Sequence, residues 1–143
     1  MSNDDGAKVR GIWKLVSWEV ESQRTGRRKQ VSGNNPTGYI LFTLEGRFMA
    51  VLTGEGRKAP STDRDQVELM KSLCAYTGIY RFEGDRWITK VDVSWQPAWV
   101  GTEQVRLFRV DGDRLHVTSA WQQAIDRPER TRARFILTFE RAK

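Results

Sequence analysis

The sequence predicts an all-β fold, an antiparallel up-and-down barrel of at least eight strands with one short helix between strands 3 and 4. Three observations predict it. Eight runs rich in β-branched and aromatic residues follow one another along 143 residues. Glycine-bearing turns at Glu45-Gly46, Glu83-Gly84-Asp85 and Asp111-Gly112-Asp113 join several of them as hairpins. Closing such a meander into a ring removes the edges that an open sheet would expose.

The expected strands run from Gly11 to Glu21, Gly38 to Leu44, Arg47 to Thr53, Ala75 to Glu83, Arg86 to Trp95, Thr102 to Asp111, Arg114 to Ala120 and Thr131 to Arg141. A chain of this length is ordinarily one domain. Residues 1–10 read as a flexible lead-in and residues 11–143 as the barrel domain. Between the third and fourth strands, Pro60-Ser61-Thr62-Asp63 supplies a hydroxyl cap and acids in a first helical turn. Val67, Met70 and either Leu73 or Cys74 follow on one face, so this short amphipathic helix is expected across one end of the barrel.

Side chains alternate in and out along a strand, so the period-two pattern assigns the interior. In the last strand Ala133, Phe135, Leu137, Phe139 and Arg141 share the inward face. Tyr76, Gly78, Tyr80 and Phe82 do so in the fourth strand, and Trp87, Thr89, Val91, Val93 and Trp95 in the fifth. The sixth strand places Gln104, Arg106, Phe108 and Val110 together in a weaker pattern. The first strand is ambiguous, since the rows Trp13-Leu15-Ser17-Glu19 and Ile12-Lys14-Val16-Trp18 both hold large apolar residues.

Composition excludes several function classes. The apolar runs are far shorter than the ~20 residues a spanning helix needs, so no membrane partner is expected. The polar start Met1-Ser2-Asn3-Asp4-Asp5 lacks a secretory pattern, and a cytoplasmic location is expected. One cysteine, Cys74, and one histidine, His116, leave too few ligands for a dedicated metal centre, and no cofactor is expected. The net charge of +6 comes from basic clusters around two turns: Arg24, Arg27, Arg28 and Lys29 beside Gly26, and Arg127, Arg130, Arg132 and Arg134 near Pro128. These read as solvated loops, and without a recognition motif they argue against nucleic acid. A monomer or homodimer is expected.

Gly11-Ile12-Trp13 at the start of the first strand, with Arg141 in phase with the core residues of the last, resembles the lipocalin and wider calycin pattern. There the tryptophan closes the barrel floor and a late basic side chain packs across the indole, an arrangement suited to a guanidinium on an aromatic face. Gly11 through Glu19, Pro36-Thr37-Gly38-Tyr39-Ile40, Gly46-Arg47-Phe48-Met49, Trp99 through Gln104 and Asp111 through Leu115 resemble the bacterial and fungal lipocalin-like domain family. This resemblance covers nearly the whole chain and implies the barrel, with Gly11, Trp13 and Arg141 as its structural closure.

An eight-stranded barrel is just wide enough to be filled by side chains or to hold one small ligand. If Trp13 points inward, Ser17 and Glu19 follow it in phase, and a carboxylate walled by aromatics would serve as acid or base. The alternative is a rim glutamate or a bulge that turns Glu19 outward. Tyr76 and Tyr80 offer phenols from an apolar wall, for ligand orientation or for packing. Arg106, inward with Gln104, is suited to a carboxylate, enolate or phenolate, unless it pairs with Glu19. Trp95 and Trp99 flank a turn where they would stack on a flat ligand or pack against the helix. His116 alternates with Leu115 and Val117 and should face outward.

Two expectations follow for function. The first is a binding protein that holds an apolar or aromatic metabolite, with Ser17, Tyr76, Tyr80, Trp95, Trp99, Gln104 and Arg106 as ligand contacts. The second, by fold analogy, is a cofactor-free cyclase, isomerase or dehydratase of secondary metabolism, acting on a substrate such as a polyketide or terpenoid, with Glu19, Tyr80 and Arg106 as catalytic groups.

Overall fold

The first apolar-rich run, Gly11–Ser22, forms strand β1, and both of its edges are paired. A computed structural model describes residues 4–31, 33–123 and 132–142. After β1 come β2 (Arg28–Gln30), β3 (Thr37–Phe42), β4 (Arg47–Thr53), β5 (Leu73–Glu83), β6 (Arg86–Ser94), β7 (Glu103–Asp111), β8 (Arg114–Ser119), β9 (Gln122–Gln123) and β10 (Arg132–Arg141). Helix α1 (Asp4–Val9) precedes β1, and helix α2 (Asp63–Lys71) lies between β4 and β5.

Eight of these strands, β1, β3 to β8 and β10, form a closed antiparallel ring, because β10 pairs with both β8 and β1. The closing register runs from Trp13 opposite Arg141 to Ser22 opposite Ala133. Strands β2 and β9 lie outside the ring, β2 on the far half of β1 beyond β3, and β9 on β10. Short turns gather at the end where β1 begins. The longer connections, including α2 and a 3-10 turn at Pro97–Trp99, gather at the other.

Three expectations are corrected. The helix follows the fourth strand, not the third: β2 consists of exposed polar residues without apolar alternation, and counting it moves every later strand up by one. Helix α2 is capped as predicted, with Thr62 Oγ1 accepting from the Asp65 N–H at 3.1 Å and the Asp65 carboxylate accepting from the Thr62 N–H. Its apolar face is not buried, however, and Val67 and Met70 remain exposed. Within residues 1–10, expected as a flexible lead-in, residues 4–9 form α1, and Val9 is buried in the core.

The remaining corrections arise from two β-bulges, each adding one residue that moves every later side chain to the opposite face. In β1 the register against β10 passes from Leu15–Phe139 to Ser17–Thr138, leaving Val16 as the extra residue. Trp18, opposite the buried Leu137, therefore points inward, while Ser17 and Glu19 sit opposite Thr138 and Ile136 on the outer face. In β6 Asp92 is the extra residue, so Val93 is turned out to solvent and Ser94 sits opposite the buried Tyr76. The Arg47 guanidinium holds this bulge from outside, with bonds of 3.2 and 3.0 Å to the Asp92 carboxylate and a third to Thr77 Oγ1.

Candidate functional site

Aromatic residues and α1 close the end of the barrel where β1 begins. Trp13 is fully buried, its indole N–H donates to the Val9 carbonyl at 2.6 Å, and the Arg141 guanidinium lies 4.0 Å from the ring centre. Arg141 also donates to the carbonyls of Arg10 and Lys8, tying α1 to the ring. Phe42 packs against Phe48, Tyr80, Phe82 and Trp87, and Phe82 packs against Phe108. Tyr80 belongs to this floor: its hydroxyl donates to the Thr43 carbonyl at 2.6 Å, in the turn between β3 and β4. Trp87 satisfies its indole N–H on the buried Thr89 hydroxyl at 2.7 Å.

A different group collects toward the other end. The inward row of β7 brings Gln104 opposite Thr89, and Arg106 between Trp87 and Ser119. From there Arg106 reaches toward the loop after β6, with its guanidinium carbon 5.9 Å from the Trp99 ring centre. It donates to the Val105 carbonyl at 3.0 Å and to Gln104 Oε1 at 3.5 Å, while Gln104 Nε2 is tied to Thr102 Oγ1. The Trp99 ring meets Tyr76 and Trp95 edge-on, at 5.1 Å in each case. Burial pushes the Tyr76 phenol up to about 12, against the opposing pull of the Arg106 charge. Burial likewise pushes the Cys74 thiol up to about 12, again opposed by Arg106.

The structure thus brings together five of the seven expected ligand contacts: Tyr76, Trp95, Trp99, Gln104 and Arg106. It separates the other two, since Ser17 is outside and Tyr80 is committed to the floor. Glu19, also outside, is not the partner of Arg106. The acid that does pair on the outer face of β1 is Glu21, held by Arg134 at 2.6 Å and Arg28 at 3.4 Å, and the Arg134 hydrogen bond draws its carboxyl below the ordinary range. Arg134 is therefore not a free loop cation, and Arg127 and Arg130 lie outside the described residues. His116, opposite Arg109 and Thr138, faces outward.

Cys74 also belongs to this group, although side-chain pattern does not mark it as a site residue. It stands two residues before Tyr76 on the same face, and β5 begins at Leu73, earlier than the expected Ala75. A thiol titrating near 12 holds little thiolate at neutral pH, so it is a poor nucleophile in the folded protein. Reaction of Cys74 with a disulfide reagent at about pH 8 is accordingly expected to be at least ~100-fold slower in the native state than in urea, where the thiol returns toward ~8.5. Equal rates in the two states would show that the thiol is not buried.

A family model described as a lipocalin-like domain matches residues 10–142. No curated protein matches the sequence.

Proposed function

The chain belongs to the lipocalin-like domain family, and we propose that it binds a small apolar or aromatic molecule in the half of the barrel remote from Trp13. The observation that carries this reading is the unequal division of the interior. One end is closed by Trp13, Arg141 and α1, and its polar groups are bonded to backbone or to each other. The other end collects Tyr76, Gln104 and Arg106 beside two indoles, the combination of apolar wall and a few polar groups by which ligand sites fix orientation.

Binding is favoured over proton-transfer catalysis by the character of these groups. A general acid or base works best when it titrates near the operating pH. Tyr76 and Cys74 are held neutral to about 12, and Glu19, the acid proposed for an isomerase or cyclase, stands on the outer face.

Titration with N-phenylnaphthylamine, an uncharged dye that brightens in apolar surroundings, tests the proposal. Saturable enhancement at one dye per chain is expected, with a dissociation constant on the order of micromolar. Trp99→Ala should weaken it by about tenfold or more through loss of the indole wall. A wild-type protein that gives no saturable enhancement would overturn the reading.

A further inference from the structure

We infer that the ligand carries one delocalised negative charge, as a carboxylate or phenolate on a flat body, and that Arg106 is its anchor. This rests on the ligand-binding reading above and specifies the chemistry of that site.

Arg106 differs from the salt-bridged arginines in what surrounds it. Arg28, Arg47, Arg81, Arg109 and Arg134 each face a carboxylate within salt-bridge distance. Arg141 lies over Trp13 and is bonded to backbone carbonyls. Arg106 is only partly exposed, points inward, and meets the neutral acceptors Val105 O and Gln104 Oε1 together with the face of Trp99. Among the described residues no carboxylate pairs with it. The nearest acid on its own strand, Glu103, is held outside by Arg81 at 2.8 Å, and Glu19 stands on the outer face of β1.

The phenol and thiol beside it cannot supply the missing charge, because both stay protonated to about 12. A guanidinium presents five N–H donors in a planar fork, and the side chain spends two bonds on Val105 and Gln104 and also approaches the Tyr76 phenol. Those bonds fix its orientation while leaving donors for an oxyanion, whose hydrogen bonds would be charge-assisted.

The class of anion follows from the charge count. Arg106 is the cation that stands beside Tyr76, Gln104 and Trp99, so a singly charged oxyanion is neutralised there, whereas a phosphate dianion would keep an excess charge. The edge-on pairs Tyr76–Trp99 and Trp95–Trp99 offer aromatic surface for the rest of the molecule.

Two dyes that differ by one charged group test the inference: anilinonaphthalene sulfonate and the uncharged N-phenylnaphthylamine. Wild-type protein should bind the sulfonate about tenfold or more tightly than the neutral dye, allowing for the strength of hydrogen bonds to a charged group. Arg106→Met should remove that preference while retaining the neutral dye, which also reports that the variant is folded. Arg106→Lys, which keeps the charge and loses the fork, should restore part of it. Benzoate should displace the sulfonate from wild type more effectively than benzyl alcohol. Equal wild-type affinity for the two dyes, or an unchanged preference in Arg106→Met, would overturn the anion inference and leave the binding reading standing. Failure of both dyes to bind would overturn both.

Discussion

Trp13→Ala is expected to destabilise the fold by about 4 kcal/mol, within the range of large aromatic truncations in a packed core. The indole is fully buried, and its loss removes more than hydrophobic surface. The Val9 carbonyl loses the donor that reaches it at 2.6 Å, and the Arg141 guanidinium loses the ring 4.0 Å away. Since Arg141 also ties α1 to β10 through the carbonyls of Lys8 and Arg10, the lesion extends to the closing seam. Urea unfolding followed by circular dichroism measures the loss. Arg141→Met, which leaves the indole in place, should cost about 1 to 2 kcal/mol. A loss below about 1 kcal/mol for Trp13→Ala would show that the indole does not seal a packed floor.

The second large effect is expected at Gly78, where β5 and β6 approach beside the bulge. A Cβ on this residue would lie 2.1 Å from the Lys90 carbonyl oxygen and 2.7 Å from its carbon, both backbone atoms that cannot rotate aside. Gly78→Ala therefore has to separate the strands or shift the register, at a cost of about 3 kcal/mol, the upper part of the usual overpacking range. The same urea experiment reads the change. Because the displaced segment carries Val91 and Asp92, the pair between Arg47 and Asp92 should loosen as well. Wild-type stability in Gly78→Ala would contradict the close approach.

How much of this was legible in the sequence depended on whether a feature changes the residue pattern. The ring strands follow from period-two alternation, which also puts Arg141 in phase with Phe139 and Leu137, while the floor at Trp13 is what the resemblance to the lipocalin pattern implies. The bulges at Val16 and Asp92 leave composition untouched and only shift the phase, which is why Val93 faces outward against the alternation, and why Ser17 and Glu19 do not follow Trp13 inward but take the outward alternative that a bulge allows. Strand β2 carries no alternation to read. Helix α1 is six residues long with Gly6 at its middle, a residue disfavoured in helices. It is explained by packing, since a side chain there would collide with the Phe82 ring at 2.8 Å.

The candidate site shows the same division. Gln104 and Arg106 were placed inward by a weak pattern, and the register places them there. Tyr80 was in phase with Tyr76, yet the two phenols have different environments, because an acceptor such as the Thr43 carbonyl leaves no trace in side-chain pattern.

The claim that one half of the barrel is a sealed floor and the other a binding site is tested most directly by the six indole N–H resonances during titration with N-phenylnaphthylamine. Single Trp→Phe variants assign them in a nitrogen-labelled sample. The resonances of Trp95 and Trp99 should move saturably with dye, whereas those of Trp13, bonded to Val9, and Trp121, beneath Arg134, should stay in place. Movement of Trp13 or Trp121 with Trp95 and Trp99 unchanged would contradict it.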